Sequence, residues 1–514
     1  MASKTYSTTL LGIDAVRVDV EAQIGSGATR FVIVGLPDGI LKESKDRIRC
    51  AIKNSGFSFP YGEVIVSLSP ASLPKTGANF ELAIALSILA ASDQIPTNSL
   101  LNKIFLGEFA LDGTIRSVPG IIASASFVKK LEPDKELIIP YTNLAQAKLI
   151  SGIKIQGAIS LQEVAFYLRG ELPALDSGQD DFKPKVVYKS PWTFADVVGQ
   201  HAAKRALEIS AAGEHNLLMV GPPGTGKSML AQRIVSILPP LKLQEIIELT
   251  KIYSVQKTGE LLSTTTSYNF GVVTERPFRS PHYTVSYAGL VGGGTVPTPG
   301  EITLAHKGVL FLDELTEFKR NVLETLRTPL ETRQITISRA NHRISYPADF
   351  IMLAAMNPCP CGKKGLIGGD CRCTPLMIER YLSKISGPFL DRIDLQIWVS
   401  PVNFLDLNKP LERDPTPQML ERVLKAREIQ RLRFKDLRRM NKSMTSSELK
   451  KYCVLNAACE KLLESANKQL NLSARSYTRI LKLARTIADL AEAANISEAH
   501  LNEAIGYRLR SIGF

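Results

Sequence analysis

Apolar residues along the chain fall first into short β-branched runs and then into helical spacing, and this shift recurs. "RFVIVGLPD" (30–38) and "EVIVSLSPASLP" (63–74) predict strands running into loops. "FELAIALSILAAS" (80–92) has the spacing of a buried helix, and "KELIIPYTN" (135–143) predicts a strand ending in a turn. The polar stretch from Arg169 to Pro191, with Pro, Gly and clustered acids, reads as a linker. From Trp192 to about Pro401, strand, loop and helix alternate, the pattern of a parallel sheet flanked by helices. From Val402 onward apolar residues recur every three or four positions, which predicts helix throughout. The expected organisation is α/β, with a domain over 1–168, a linker over 169–191, a core over 192–401 and a helical domain over 402–514.

Length supports more than one core, since 514 residues exceed what a single hydrophobic core serves. The net charge of +13 favours a polyanionic partner, above all nucleic acid. No apolar run is long enough to span a membrane, and the start lacks the pattern of a signal peptide. A soluble, cytoplasmic protein is expected, with no membrane partner. Seven cysteines, an odd number, argue against a disulfide framework.

The candidate chemistry lies at predicted strand ends. In "NLLMVGPPGTGKSML" an apolar strand runs into Gly221, Pro222, Pro223, Gly224, Thr225, Gly226, Lys227 and Ser228, and a helix follows. That is a P-loop: glycines let backbone N–H groups wrap phosphates, Lys227 reaches the β- and γ-phosphates of ATP, and Ser228 ligates Mg²⁺. "KGVLFLDEL" ends in Asp313, a second Mg²⁺ ligand, and Glu314, which polarises the attacking water. "DFIMLAAMN" ends in Asn357, placed to orient that water or, alternatively, to start a turn before Pro358. In "GPFLDRIDL", Arg392 is either an arginine finger for a neighbouring subunit's nucleotide or an ion-pair partner of Asp391 or Asp394.

In this order the residues resemble an AAA+ ATPase of the magnesium-chelatase-like group, and most closely the ComM/YifB family. The stretch from Glu275 to Leu315 is similar to that group's helix-2 insertion running into Walker B, and "MNPCPCG", "ISGPFLDRIDL" and "LSARSYTRILKLARTIADL" also match. The resemblance implies that Asn357 is sensor 1, Arg392 the arginine finger and Arg475 the sensor 2 arginine of a helical lid. It further implies a homo-hexameric ring that branch-migrates DNA in natural transformation. The amino-terminal domain resembles the Lon protease fold through "PKTGANFELAIAL" and "GEFALDGTIRSVPG", as an α+β module. Proteolysis needs a Ser–Lys dyad. Asn79 stands at the serine position and Ile121–Ile122 at the lysine position, so no peptidase activity is expected. The rival readings are a chelatase-type motor and a nucleotide-gated scaffold, neither translocating DNA.

Two further features concern DNA and metal. "TRQITISRANHRISYPADF" predicts a β-hairpin whose tip carries Arg339, His342 and Arg343, a candidate for tracking phosphates. The insertion's Arg276, Phe278, Arg279 and His282 form a second candidate, and the basic stretch from Arg422 to Lys442 a third. In "MNPCPCGKKGLIGGDCRCTP", Cys359, Cys361, Cys371 and Cys373 offer four thiolates, with glycines between them for turns. Structural Zn²⁺ is the expectation, and a metal-free loop the alternative. Cys50, Cys453 and Cys459 are read as core residues.

Overall fold

The structure, a computed structural model, describes residues 2–35, 39–73, 75, 77–177, 191–256, 268–269, 271–294, 297–339, 342–366, 370–402, 413–436, 439–470 and 473–508. The chain divides into two compact units, Met1–Lys185 with Lys242–Thr274, and Val186–Leu241 with Glu275–Phe514. The segment Lys242–Thr274, read from sequence as part of the core, thus belongs to the first unit. Most of the expected linker, 178–190, lies outside the described residues.

The first unit has a four-stranded sheet in the order Ala2–Leu11, Asp14–Gly25, Glu63–Ser69, Arg30–Val34, antiparallel except for its last pair. The helix Glu81–Ala91 is buried along its whole length, as its nearly unbroken apolar sequence demands. Its one acid, Glu81, is tolerated because Arg47 pairs with it and the Phe109 amide donates to it. At the position of a protease serine, the Asn79 amide donates to the Thr8 carbonyl at 3.0 Å. Ile121 and Ile122 are fully buried. The serine position thus holds a backbone-bonding amide, and the lysine position two core residues.

The second unit is built on a five-stranded sheet in the order Phe278–Arg279, Val309–Leu312, Ile351–Met356, Leu217–Val220, Leu395–Trp398, and every pairing is parallel. The three central strands are buried along their whole length, which is why their sequences are unbroken apolar runs rather than alternating ones. Helices follow at Thr416–Phe434, Ser446–Tyr452, Ala457–Leu470, Ala474–Leu490 and Glu498–Gly506, and residues from all five join the sheet in one core cluster.

The expected basic helix is shorter than its sequence suggests and its described arginines are bonded. It ends at Phe434, because Lys435 turns into the left-handed region at φ 50°. Arg422 pairs with Glu208 at 2.6 Å, Arg431 with Glu428 at 3.2 Å, and Arg439 with Glu448 at 2.7 Å. Arg427 donates to the Ala211 carbonyl, and Arg433 is held by Asp489. Arg438 lies outside the described residues. The described arginines of this stretch are thus bound within the unit, while Lys435 is exposed.

Asp489 is the hinge pin of this packing. It is fully buried and accepts from Arg433, from Arg485 at 3.0 Å and from Asn441 at 2.8 Å. Asp489→Ala would leave two guanidinium groups without their counter-charge, and is expected to cost about 3–5 kcal/mol. Denaturant titration checks this; a loss under about 1 kcal/mol would mean the arginines find other partners.

Candidate active site

The P-loop strand Leu217–Val220 is wholly buried, and its amide ladder carries the chain straight to Gly221. A Cβ there would fall 2.3 Å from the Val399 carbonyl oxygen, so only glycine lets the loop pass. Gly224 and Gly226 take φ of +77° and +80°, curling the loop before the helix Lys227–Arg233 begins. Lys227 is buried; its amine donates to the carbonyls of Gly221 at 2.7 Å and Pro222 at 2.8 Å, and lies 3.4 Å from the Asn357 amide oxygen. Burial holds its pKa below the ordinary lysine value, although the Asp313 charge opposes this. A phosphate oxygen is the acceptor that would draw this amine from the backbone.

Ser228 donates to Asp313 at 2.5 Å, so the two residues read as Mg²⁺ ligands already touch. A hydroxyl and a carboxylate side by side beneath a phosphate-wrapping loop are the donor set that Mg²⁺ accepts. When bound, the ion would neutralise phosphate charge. Glu314 follows at φ 50°, a left-handed conformation that costs a non-glycine residue roughly 1–2 kcal/mol. Its carboxylate is exposed and opens onto a cavity of about 520 Å³ that Asn357 also lines. Strain at this position is paired with an unshielded carboxylate, as expected of a group that acts on water.

The same cavity is lined by Met377, Arg380, Tyr381 and Lys384, which the sequence reading missed. Their spacing of three and four residues, on and just beyond the helix Pro375–Leu382, put them on one face and was the available signal. The Tyr381 hydroxyl accepts from Thr316 at 2.6 Å.

Arg392 pairs with neither acid beside it in sequence but with Glu331, at 2.6 Å. Burial and the charges of Arg327, Arg475 and Arg479 hold its guanidinium below the ordinary arginine value, against the pull of Glu331. Arg475 is exposed in the first turn of the helix Ala474–Leu490, and one turn on Arg479 approaches Asp394 at 3.8 Å. Arg392 and Asp394 precede the strand Leu395–Trp398, whereas the P-loop follows the end of the strand beside it. Arg392, with Arg479 near it at Asp394, therefore lies at the amino ends of these parallel strands, away from the carboxyl ends where the P-loop begins.

The hairpin forms as expected, from Gln334–Arg339 and His342–Pro347, with Arg339 opposite His342. Ile335, Ile337, Ile344 and Tyr346 bury one face of it, and Arg343 is exposed. The insertion's arginines are not free. Arg276 donates to the carbonyls of Pro239 and Lys307, and Arg279 makes a bidentate pair with Glu301. Phe278 packs on Phe311 with rings 6.0 Å apart. These three residues hold the sheet edge, which corrects their reading as a DNA surface; His282 alone of that group is exposed.

The four cysteines converge. Their sulfurs lie within 4.8 Å of one another, with Cys359–Cys361 at 3.4 Å, Cys359–Cys371 at 3.8 Å and Cys361–Cys371 at 3.7 Å. Four sulfurs each about 2.3 Å from a tetrahedral zinc stand about 3.8 Å apart, so the donor set fits that ion. Gly368 and Gly369 of this loop lie outside the described residues.

A buried lysine in a glycine loop, Ser228 bonded to Asp313, and an exposed strand-end acid on a parallel sheet form the arrangement of an ATPase of the AAA+ fold. Residues 193–407 match the family described as magnesium chelatase, subunit ChlI; residues 20–143 match subunit ChlI of Mg-chelatase, and 413–508 its C-terminal family. The competence protein ComM of Haemophilus influenzae is 44% identical over 98% of this chain and 96% of its own length. The protein YifB of Salmonella typhimurium is 42% identical over the same shares. Lon protease 2 of Bacillus subtilis is 27% identical over 33% of each chain. The chain belongs to the ComM/YifB family of magnesium-chelatase-like proteins. Among the described residues no helix is long and apolar enough to cross a membrane.

Glu314→Gln spares Asp313 and removes only the polarising carboxylate, so ATP binding is expected to persist while turnover falls by about 10²-fold or more. Lys227→Ala is expected to weaken binding itself. Equilibrium binding of labelled ATP beside steady-state hydrolysis separates the two; wild-type turnover by Glu314→Gln would reassign the acid.

Proposed function

We propose that this chain is an ATP-driven DNA motor working as a homo-hexameric ring, and that it branch-migrates recombination intermediates in natural transformation. The ring reading rests on one observation: Arg392 and the helix of Arg475 stand at the strand ends away from their own P-loop. A four-residue strand separates those ends by roughly 13 Å at about 3.3 Å per residue. An arginine so placed serves a neighbour's nucleotide, and it would have to leave Glu331 to do so. Support for DNA comes from the net charge of +13 and from the hairpin, which joins the Walker B and sensor 1 regions and carries exposed Arg343. Support for natural transformation is the name of the Haemophilus relative, a competence protein. Structural zinc on the four cysteines is part of this reading, as are ATP and Mg²⁺ at the P-loop.

Arg392→Ala is expected to bind ATP, to lose on the order of 10³ in hydrolysis, and to poison rings mixed with wild-type chains. Full turnover by the variant would leave Arg392 as the structural partner of Glu331. The motor itself is tested with branched DNA, which should stimulate hydrolysis and be displaced with ATP present. Reversing the hairpin charges (Arg339→Glu with Arg343→Glu) should abolish that stimulation, spare basal hydrolysis and flatten the salt dependence of DNA binding. Stimulation and displacement unchanged in this variant would remove the hairpin from the mechanism. Hydrolysis indifferent to any DNA would favour the chelatase-type motor or the scaffold.

A further inference from the structure

The cysteine loop does more than close on itself: it lies across the nucleotide machinery. It leaves the sheet at Asn357, and its first cysteine, Cys359, is buried two residues later. Gly362 then turns at φ +73°, its amide bonded to the Cys359 carbonyl at 3.0 Å. A Cβ on Gly362 would lie 2.7 Å from Cδ of Pro223 in the P-loop and 4.0 Å from the Asn357 side chain. Gly365, at φ +79°, sits equally close to the indole of Trp398, where the neighbouring strand ends. Backbone contact this intimate joins the loop to three strand ends at once.

We propose that the four cysteines bind one Zn²⁺ that acts as a clamp, fixing this loop against Pro223 and Asn357 and thereby setting the affinity of the P-loop for nucleotide. Cys359 and Cys361 come from the strand side of the loop, and Cys371 and Cys373 from the side that enters the helix Pro375–Leu382. A metal on all four ties the two ends together. Without it, a glycine-containing loop has little to offset its conformational freedom. Cys361 is exposed and Cys371 and Cys373 are half-buried, so the ion and not a hydrophobic core must supply the order. Four thiolates leave no open position on the metal, which makes its role positional and not catalytic. The inference rests on the nucleotide reading of the P-loop and extends it to what holds that loop in shape.

The test uses the full chain, with metal content by elemental analysis and binding of a fluorescent non-hydrolysable ATP analogue in excess Mg²⁺. The purified protein should carry about one zinc per chain. Stripping it with a zinc-selective chelator should weaken analogue binding tenfold or more, and ZnCl₂ should restore it. Gly362→Ala should keep its zinc, because no ligand is touched, yet lose affinity by a similar factor as its methyl group drives into Pro223. Native affinity in both the stripped protein and Gly362→Ala would overturn the clamp while leaving the metal site standing. No zinc, with all four thiols freely titratable in the folded protein, would overturn the metal site. Failure of the intact, zinc-loaded protein to bind the analogue would instead sink the nucleotide reading on which the clamp depends.

Discussion

Everything chemical in this protein depends on the register of one parallel sheet. Val220 lies opposite Met356 on one side and Trp398 on the other, and Leu312 opposite Ala354. Parallel strands in register deliver their carboxyl ends to one line, and here that line carries the P-loop, Asp313 with Glu314, and Asn357. A slip of one residue would turn each terminal side chain to the opposite face and part Ser228 from Asp313. The buried, unbroken apolar strands hold the register because neither face offers an alternative in water.

The same register assigns the arginines. Groups that precede a strand and groups that follow it are at opposite ends, so Arg392 and the P-loop lie at opposite ends of two neighbouring parallel strands. Its present partner, Glu331, keeps a buried guanidinium satisfied in the isolated chain. The surplus positive charge is spent unevenly. Arg276, Arg279, Arg427 and Arg433 bind carbonyls and carboxylates inside their unit, and Arg343 stands in the open.

Strand ends were legible in the sequence because an apolar run followed by a polar group has one meaning in a sheet covered on both sides. Lys227, Ser228, Asp313, Glu314 and Asn357 converge for that reason. The cysteine cluster was legible as composition, but its seat on Pro223 was not, since Gly362 and Gly365 betray close approach only when the side chains packed on them, Pro223 and Trp398, are known. Arginine count misled at Arg276, Arg279 and the helix ending at Phe434: their acceptors, Pro239, Glu301, Ala211 and Asp489, are remote in sequence and have no signature there. The place of Lys242–Thr274 in the first unit was hidden likewise, because unit membership is a property of contacts and not of order along the chain.

The hairpin's buried face makes it stiff. Ile337 stands opposite Ile344 and Ile335 opposite Tyr346, and the Tyr346 hydroxyl is pinned to the Pro297 carbonyl at 2.7 Å. Its six-residue arms span roughly 20 Å at about 3.3 Å per residue. The returning arm leads at once into the strand Ile351–Met356, whose far end is Asn357. Hairpin arm and strand, six residues each, thus form one continuous arm with Asn357 just past one end and Arg343 toward the other. Rotation of a few degrees at such a root sweeps ångströms at the tip, so a small shift beside Asn357 would be magnified where Arg343 stands.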